Sequence, residues 1–299
     1  MRIAITGAGG FLGRNILEVL KDKDCEVYAF SSREVELGEK YKGIKQYHFL
    51  NVKEEIPDNI DVLLNCAFPR NEDGEEMAIG LKYIHNIFAQ CSKKEVSALV
   101  NISSQSVYSQ KRDYCADESS ELNLESKYAV GKYATELFLN AGCSNVYHTN
   151  IRMASLIGYD FEQRIVNKFV NIALADKKIN VLAGKQSYGY MDVRDAADAI
   201  VTVCMDYKNA AQWDEVYNLG IQGTYSLKDI AAEVQKQVGE ELHCEIELNV
   251  EEHDAYLNSA LNSELFYRTF DWQPQYALAD TVKEIIQYVK GKRGTNKSI

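Results

Sequence analysis

The chain predicts an α/β protein, a doubly wound parallel sheet with a smaller α/β lobe. Three observations carry that prediction. An apolar run, Ile3 to Ile5, passes into the glycine-rich segment Thr6-Gly7-Ala8-Gly9-Gly10-Phe11-Leu12-Gly13, and a run of helical period follows it. Short β-branched and apolar runs then alternate with longer segments of helical period, the pattern of parallel βαβ units. No internal repeat or low-complexity linker breaks the alternation, and only three prolines punctuate the 299 residues.

Strands are expected at 2–6, 26–31, 45–50, 61–66, 97–102 and 145–151, where apolar and β-branched residues cluster in short runs. Helices are expected between them near 11–22, 75–92 and 123–140. The last two are long and carry broad apolar faces such as Tyr83, Ile84, Ile87 and Phe88. Beyond about residue 155 the elements shorten, with helices near 161–175, 195–207, 226–238 and 277–290. The expected organisation is a first domain over 1–155 and a second lobe over 156–299, with segments near 191–221 returning to the first.

Composition is ordinary for a globular chain, 46% hydrophobic and 26% charged. A net charge of -11 argues against nucleic acid or an anionic membrane surface as partner, although the tail Lys290 to Lys297 is locally basic. No apolar stretch is long enough to span a bilayer, and the amino terminus enters a core strand without a signal-peptide region. A soluble, cytoplasmic protein is expected. The seven cysteines are odd in number, widely spaced and free of any Cys-x-x-Cys pair, as expected of buried thiols in a reducing compartment. No His/Cys/Asp cluster has metal-ligand spacing, so no metal is implied.

Gly7, Gly10 and Gly13 sit where a first strand turns into a first helix. Glycine there lets backbone N–H groups approach a pyrophosphate, and the helix start adds its positive dipole end. The alternative is that these glycines serve turn conformation alone. A second constellation lies further along: Tyr128-Ala-Val-Gly-Lys132 puts a phenol and an ammonium at i and i+4 on one helix face. A neighbouring cation favours the phenolate, which fits tyrosine to exchange a proton with an alcohol or carbonyl near neutral pH. The run Val100-Asn-Ile-Ser103-Ser104-Gln105-Ser106-Val107-Tyr108 ends a strand in hydroxyls at the edge where open α/β sheets bind ligands.

Together these residues resemble the extended short-chain dehydrogenase/reductases, a Rossmann family that includes many nucleotide-sugar epimerases, dehydratases and reductases. The resemblance covers nearly the whole chain: Gly7-x-x-Gly10-x-x-Gly13, the strand Asp61 to Ala67, Ser103-Ser104 with Val107-Tyr108, Tyr128-x-x-x-Lys132, Ile151-Arg152 with Gly158, Val193-Arg-Asp195-Ala, and Tyr217-Asn218-Leu-Gly220. It implies that Tyr128 is the acid/base, that Lys132 lowers its pKa and holds the nicotinamide ribose, and that Ser104 polarises the substrate oxygen. Ser104 is preferred to Ser103 because the family's hydroxyl lies four residues before the tyrosine that matches Tyr108. The implied dinucleotide contacts are Gly7, Gly10, Phe11, Leu12, Gly13, Ser31, Arg33, Asn51, Ala67, Tyr128 and Lys132.

The second strand ends in Phe30-Ser31-Ser32-Arg33, with no acidic residue to bind a ribose 2'-hydroxyl. Serine hydroxyls and a guanidinium suit a 2'-phosphate, so NADP is favoured over NAD, with Arg33 as a plain surface residue the alternative. Other departures bear on the substrate. Gln105-Ser106 stands where a sugar-nucleotide dehydratase would carry an Asp-Glu pair, and Ser106 where a combined 3,5-epimerase and reductase would carry cysteine. Ser155 and Tyr188 replace the asparagine and arginine often found at diphosphate sites; Arg70 or Arg164 is a candidate substitute, with a plain surface residue the alternative for each. Tyr159, Tyr188 and Tyr190 are candidates to line the second lobe's cleft. The expected activity is an NAD(P)-dependent epimerase or reductase of a secondary alcohol or ketone, most readily on a nucleotide-activated sugar. The alternatives are a reductase of small aldehydes or ketones and a non-catalytic dinucleotide sensor. The resemblance also implies a homodimer through the two long helices near 75–92 and 123–140, the alternative being that their apolar faces are used against the chain's own sheet.

Overall fold

β1 (Arg2–Thr6) lies inside a sheet of seven parallel strands, flanked on one side by β2 (Glu26–Ser31) and β3 (Gln46–Asn51). On its other side follow β4 (Val62–Asn65), β5 (Ala98–Ser104), β6 (Tyr147–Met153) and β10 (Val216–Leu219). The chain leaves β1 in opposite directions to build the two halves, so the switch point lies between β1 and β4, at whose carboxyl ends such sheets bind ligands. The structure, a computed structural model, describes residues 1–32, 41, 44, 46–69 and 74–295; Arg33 and Arg70 lie outside the described residues.

Burial explains the central strands. Every residue of β4 and β5 is buried, as it must be where helices cover both faces of a parallel sheet. On one face α1 (Phe11–Leu20) packs with α5 (Val193–Met205). On the other, α2 (Gly74–Lys93) buries Ile84, Ile87, Phe88 and Cys91 beside α3 (Lys127–Gly142), which contributes Leu139. A separate core gathers α4 (Ile165–Asp176), α6 (Leu227–Leu242) and α8 (Leu278–Thr295) through Val166, Phe169, Ile230, Val234 and Ile285.

The six expected strands are present with ends displaced by at most two residues. α3 starts at Lys127 rather than 123, because Ser126 caps it by accepting the Ala129 N–H at 3.1 Å. Six strands and helices among the described residues were not expected as such. β8 (Lys178–Ser187) and β11 (Glu247–Asn258) pair in parallel as a two-stranded arm, and β11 is too polar and exposed to show a strand's alternation. β10 is four residues long, and α7 (Glu264–Phe270) is too short to display a helical period. β7 (Leu156–Ile157) and β9 (Met191–Asp192) form a further short pair. All seven cysteines are free; Cys115 is exposed, and Cys66 and Cys244 are half-buried, contrary to uniform burial.

Candidate active site

The glycine turn is shaped by close contact. Gly7 has φ +68°, and a Cβ there would lie 2.6 Å from the Ala67 N. Both the left-handed backbone and the approach of the β4 exit exclude a side chain. A Cβ on Gly13 would stand 2.4 Å from the Gly7 carbonyl oxygen, so glycine is needed for α1 to start this close to β1. Gly10 is the helix N-cap, its N–H donating to the Gly7 carbonyl at 2.9 Å. The first-turn amides of Phe11, Leu12 and Gly13 have no carbonyl within the helix to bind. A cradle that side chains would fill, ringed by amides at a helix start, fits a dinucleotide pyrophosphate.

Neighbouring groups brace this turn. Arg14 pairs with Asp160 at 2.6 Å and donates to the Gly9 carbonyl at 2.9 Å. The Phe11 and Phe161 rings stand 4.7 Å apart, and Gly158 leaves room for the Phe11 ring, 2.9 Å from where its Cβ would be. Ser31 is buried at the end of β2, in register with Asn51 of β3. The Asn51 amide oxygen accepts the Lys53 N–H at 3.1 Å, so it is partly engaged in its own turn.

Tyr128 and Lys132 meet at Phe68, just beyond β4. The Phe68 and Tyr128 rings are edge-on at 5.2 Å, and the Lys132 Nζ lies 4.3 Å from the centre of the Phe68 ring. Lys132 is buried and its Nζ donates to the Ile102 carbonyl at 2.8 Å, tying it to β5 two residues before Ser104. Burial pushes the Cys66 thiol up to about 12, while the Lys132 charge pulls it down by a smaller amount. Ser104 Oγ accepts the N–H of Ser106 at 3.2 Å and lies 3.0 Å from the Ser106 Oγ. Ser103 turns the other way and donates to the Glu136 carboxylate.

A glycine turn at a helix start and a Tyr-Lys pair on a helix beside the sheet accord with the match of residues 3–220 to the model of the NAD dependent epimerase/dehydratase family. The chain belongs to this family. A relative in Homo sapiens, dTDP-D-glucose 4,6-dehydratase, is 21% identical over 97% of this chain and 90% of the relative. UDP-N-acetylglucosamine 4-epimerase from Bacillus cereus superposes with a TM-score of 0.82 at 19% identity, over 97% of each chain. UDP-glucuronic acid 4-epimerase from Bacillus cereus, as a mutant bound to a fluorinated UDP-glucuronic acid and NAD, gives a TM-score of 0.83 at 17% identity over 98% of this chain and 100% of the other.

Behind Tyr128 and Lys132 lie buried groups that no local motif joins. Arg152 on β6 is buried against Glu136, its Nη2 at 2.8 Å from Oε2 and its Nε at 3.1 Å from Oε1. Its Nη1 donates to the Tyr108 hydroxyl at 2.9 Å, which in turn donates to the Asn218 side-chain oxygen at 2.9 Å. Burial opposes the Arg152 charge, but the Glu136 carboxylate outweighs it and holds the guanidinium above its ordinary pKa. A second buried chain crosses four strands: Thr6 donates to Asn65 at 2.6 Å, Asn65 to Asn101 at 2.9 Å, and Asn101 to Asn150 at 2.8 Å. In the other lobe, Tyr188 and Tyr190 stack at 5.0 Å, Tyr159 meets Tyr288 at 4.8 Å, and Arg164 lies over the Phe161 ring at 4.7 Å. Burial lifts the Tyr190 phenol to about 12.

Proposed function

We propose that the chain is an NAD(P)-dependent epimerase or reductase acting at a secondary alcohol or ketone of a nucleotide-activated sugar. The observation that carries this is the meeting of Tyr128 and Lys132 at Phe68, with Lys132 tied to the Ile102 carbonyl of β5 and Ala67 closing on Gly7 of the glycine turn. When bound, the nicotinamide supplies the hydride acceptor or donor. Tyr128 moves the proton at the substrate oxygen, Lys132 favours its phenolate, and the Ser104 hydroxyl donates to that oxygen as charge develops. Gly7, Gly10, Phe11, Leu12, Gly13, Ala67 and Asn51 hold the dinucleotide. Residues 1–155, with 191–221, form the cofactor domain, and the rest of 156–299 forms the substrate lobe.

Dehydration does not fit these side chains. The Gln105 carboxamide accepts from Gln110 at 2.9 Å and offers no titrating proton, and Ser106 is a hydroxyl. Arg164 at the N-cap of α4 supplies an anion contact for a diphosphate, aided by the helix dipole. Ser155 and Tyr188, in place of asparagine and arginine, favour the second reading, a reductase of small carbonyl compounds. Identification of the dinucleotide carried by the purified protein tests the proposal. A retained oxidised cofactor supports an epimerase, NADPH that exchanges and is consumed with a keto-sugar supports a reductase, and no dinucleotide binding overturns both. Seven free cysteines support a cytoplasmic location.

NADP is favoured over NAD on the acid-free end of β2. Arg33→Ala is expected to weaken NADPH binding by about 1.5–3 kcal/mol, the worth of a charge-assisted bond, and to leave NADH binding nearly unchanged. Titration of both cofactors by fluorescence checks this; equal weakening of both, or of neither, refutes it.

The reading extends to a homodimer through α2 and α3. Ile79 is 64% exposed on α2, and Val130 and Leu137 are 51% and 49% exposed on α3. Met77, Leu81, Leu124 and Val130 line an apolar groove between the two helices, and pairing with a second copy would make a four-helix contact. Sedimentation should show a dimer at micromolar concentration, and Ile79→Asp should shift it to monomer without unfolding it. A monomeric wild-type mass excludes this interface.

A further inference from the structure

On α3, Tyr128, Lys132 and Glu136 follow one another at intervals of four residues, so their side chains succeed each other along one face. That spacing creates a conflict. A carboxylate four residues from a lysine is placed to pair with it, and a paired lysine exerts less field on a phenol one turn further along. Glu136 does not take that course. Its Oε2 receives Arg152 Nη2 at 2.8 Å, and its Oε1 receives Arg152 Nε at 3.1 Å together with the Ser103 hydroxyl. Both partners come from strands, β6 and β5, and all three residues are buried. The guanidinium is fixed in turn by the Tyr108 hydroxyl at 2.9 Å, with its carbon 5.1 Å from the centre of that ring.

We propose that Arg152 is a positioning residue: by holding the Glu136 carboxylate on the strand side, it keeps that charge off Lys132 and leaves the lysine's field to act on Tyr128. This rests on the functional reading of Tyr128 and Lys132 given above. Arg152 acts through Glu136, which it binds at 2.8 Å. Among the described residues, the titratable and charged groups facing this assembly from other elements include Cys66 beyond β4, Tyr108 after β5, Arg112 over the Tyr108 ring at 5.9 Å, and Glu118 in the same loop. Burial raises the Cys66 thiol to about 12 and raises the Tyr108 phenol above its ordinary value, which favours the neutral form of both. Burial also raises Glu118, whose carboxylate accepts the Asn218 N–H at 2.7 Å and feels the Arg152 charge.

Ultraviolet titration of phenolate in the full-length chain tests this without a substrate. The difference between each protein and its Tyr128→Phe counterpart isolates one tyrosine, and Glu118→Gln serves as a control for the loop carboxylate. Arg152→Met is expected to move the Tyr128 midpoint up by about one pH unit, as a released carboxylate turns to Lys132. In a Glu136→Gln background the same change should leave the midpoint within about 0.3 pH unit of the Glu136→Gln parent, because no carboxylate remains to be released. If Arg152→Met does not fold, Arg152→Lys keeps a cation but loses the planar fork, and should move the midpoint in the same direction by less. A midpoint that Arg152→Met leaves unmoved in the chain that keeps Glu136, or an equal rise with and without the Glu136 carboxylate, overturns the proposal alone. A Tyr128 that titrates at the ordinary tyrosine value in the unmodified chain overturns the underlying assignment of Tyr128 and Lys132 as well.

Discussion

Tyr128→Phe is expected to lower turnover by roughly 10²–10⁴-fold while leaving dinucleotide affinity nearly intact. The substitution removes one oxygen and keeps the ring, so the edge-on contact with Phe68 at 5.2 Å is preserved and Lys132 keeps its bond to the Ile102 carbonyl. What is lost is the proton that must move as the substrate carbon changes oxidation state. Hydride transfer without that proton leaves an alkoxide, or starts from an unpolarised carbonyl, and Ser104 alone offers only a hydrogen bond to the developing charge. The loss should therefore appear in kcat, with KM and cofactor affinity little changed. Steady-state kinetics and a direct cofactor titration on the same preparation check it. Near-normal turnover would remove Tyr128 from the chemistry and leave the dinucleotide cradle as the main support for the functional reading.

The parts of this site that were legible in the sequence are those whose physics is local. A glycine turn between an apolar strand and a helix needs no long-range contact to be recognised, and Gly7 has the positive φ such a turn calls for. Tyr128 and Lys132 share a helix face by spacing alone. The distinction between Ser103 and Ser104 drew on family resemblance; in the structure Ser103 donates to Glu136, 33 residues away. Contacts of that kind were not legible. Glu136 is one of many glutamates on helices, and its meeting with Arg152 depends on how α3 settles over β6. The arm of β8 and β11 escaped for a related reason, since a parallel pair formed across sixty or more residues leaves little trace in a strand as polar as Glu247–Asn258. Arg33, to which the proposal assigns cofactor choice, lies outside the described residues and is tested by binding alone.

The asparagines of the central strands make the second large prediction. Thr6, Asn65, Asn101 and Asn150 occupy matched register positions on β1, β4, β5 and β6, so each side chain meets the next across a buried sheet. Asn101 is the middle link. Its oxygen accepts from Asn65 at 2.9 Å, and its nitrogen donates to Asn150 at 2.8 Å and to the Thr135 hydroxyl at 3.1 Å. Asn101→Ala deletes three bonds and strands the buried Asn65 donor and Asn150 acceptor, each at a cost of about 1–3 kcal/mol. Thr135 loses less, because its hydroxyl still donates to the Lys132 carbonyl at 2.8 Å. A loss of about 3–5 kcal/mol is expected, since the stranded groups relax together and their costs do not simply add. Chemical denaturation should show the loss as a lower midpoint with an unchanged slope. In an Asn65→Ala background the same change should cost less, because one of the stranded groups is already gone. A loss below about 1 kcal/mol in the single variant would mean that the neighbouring amides find other partners, and that the ladder fills space rather than holding β1 to β6 in register.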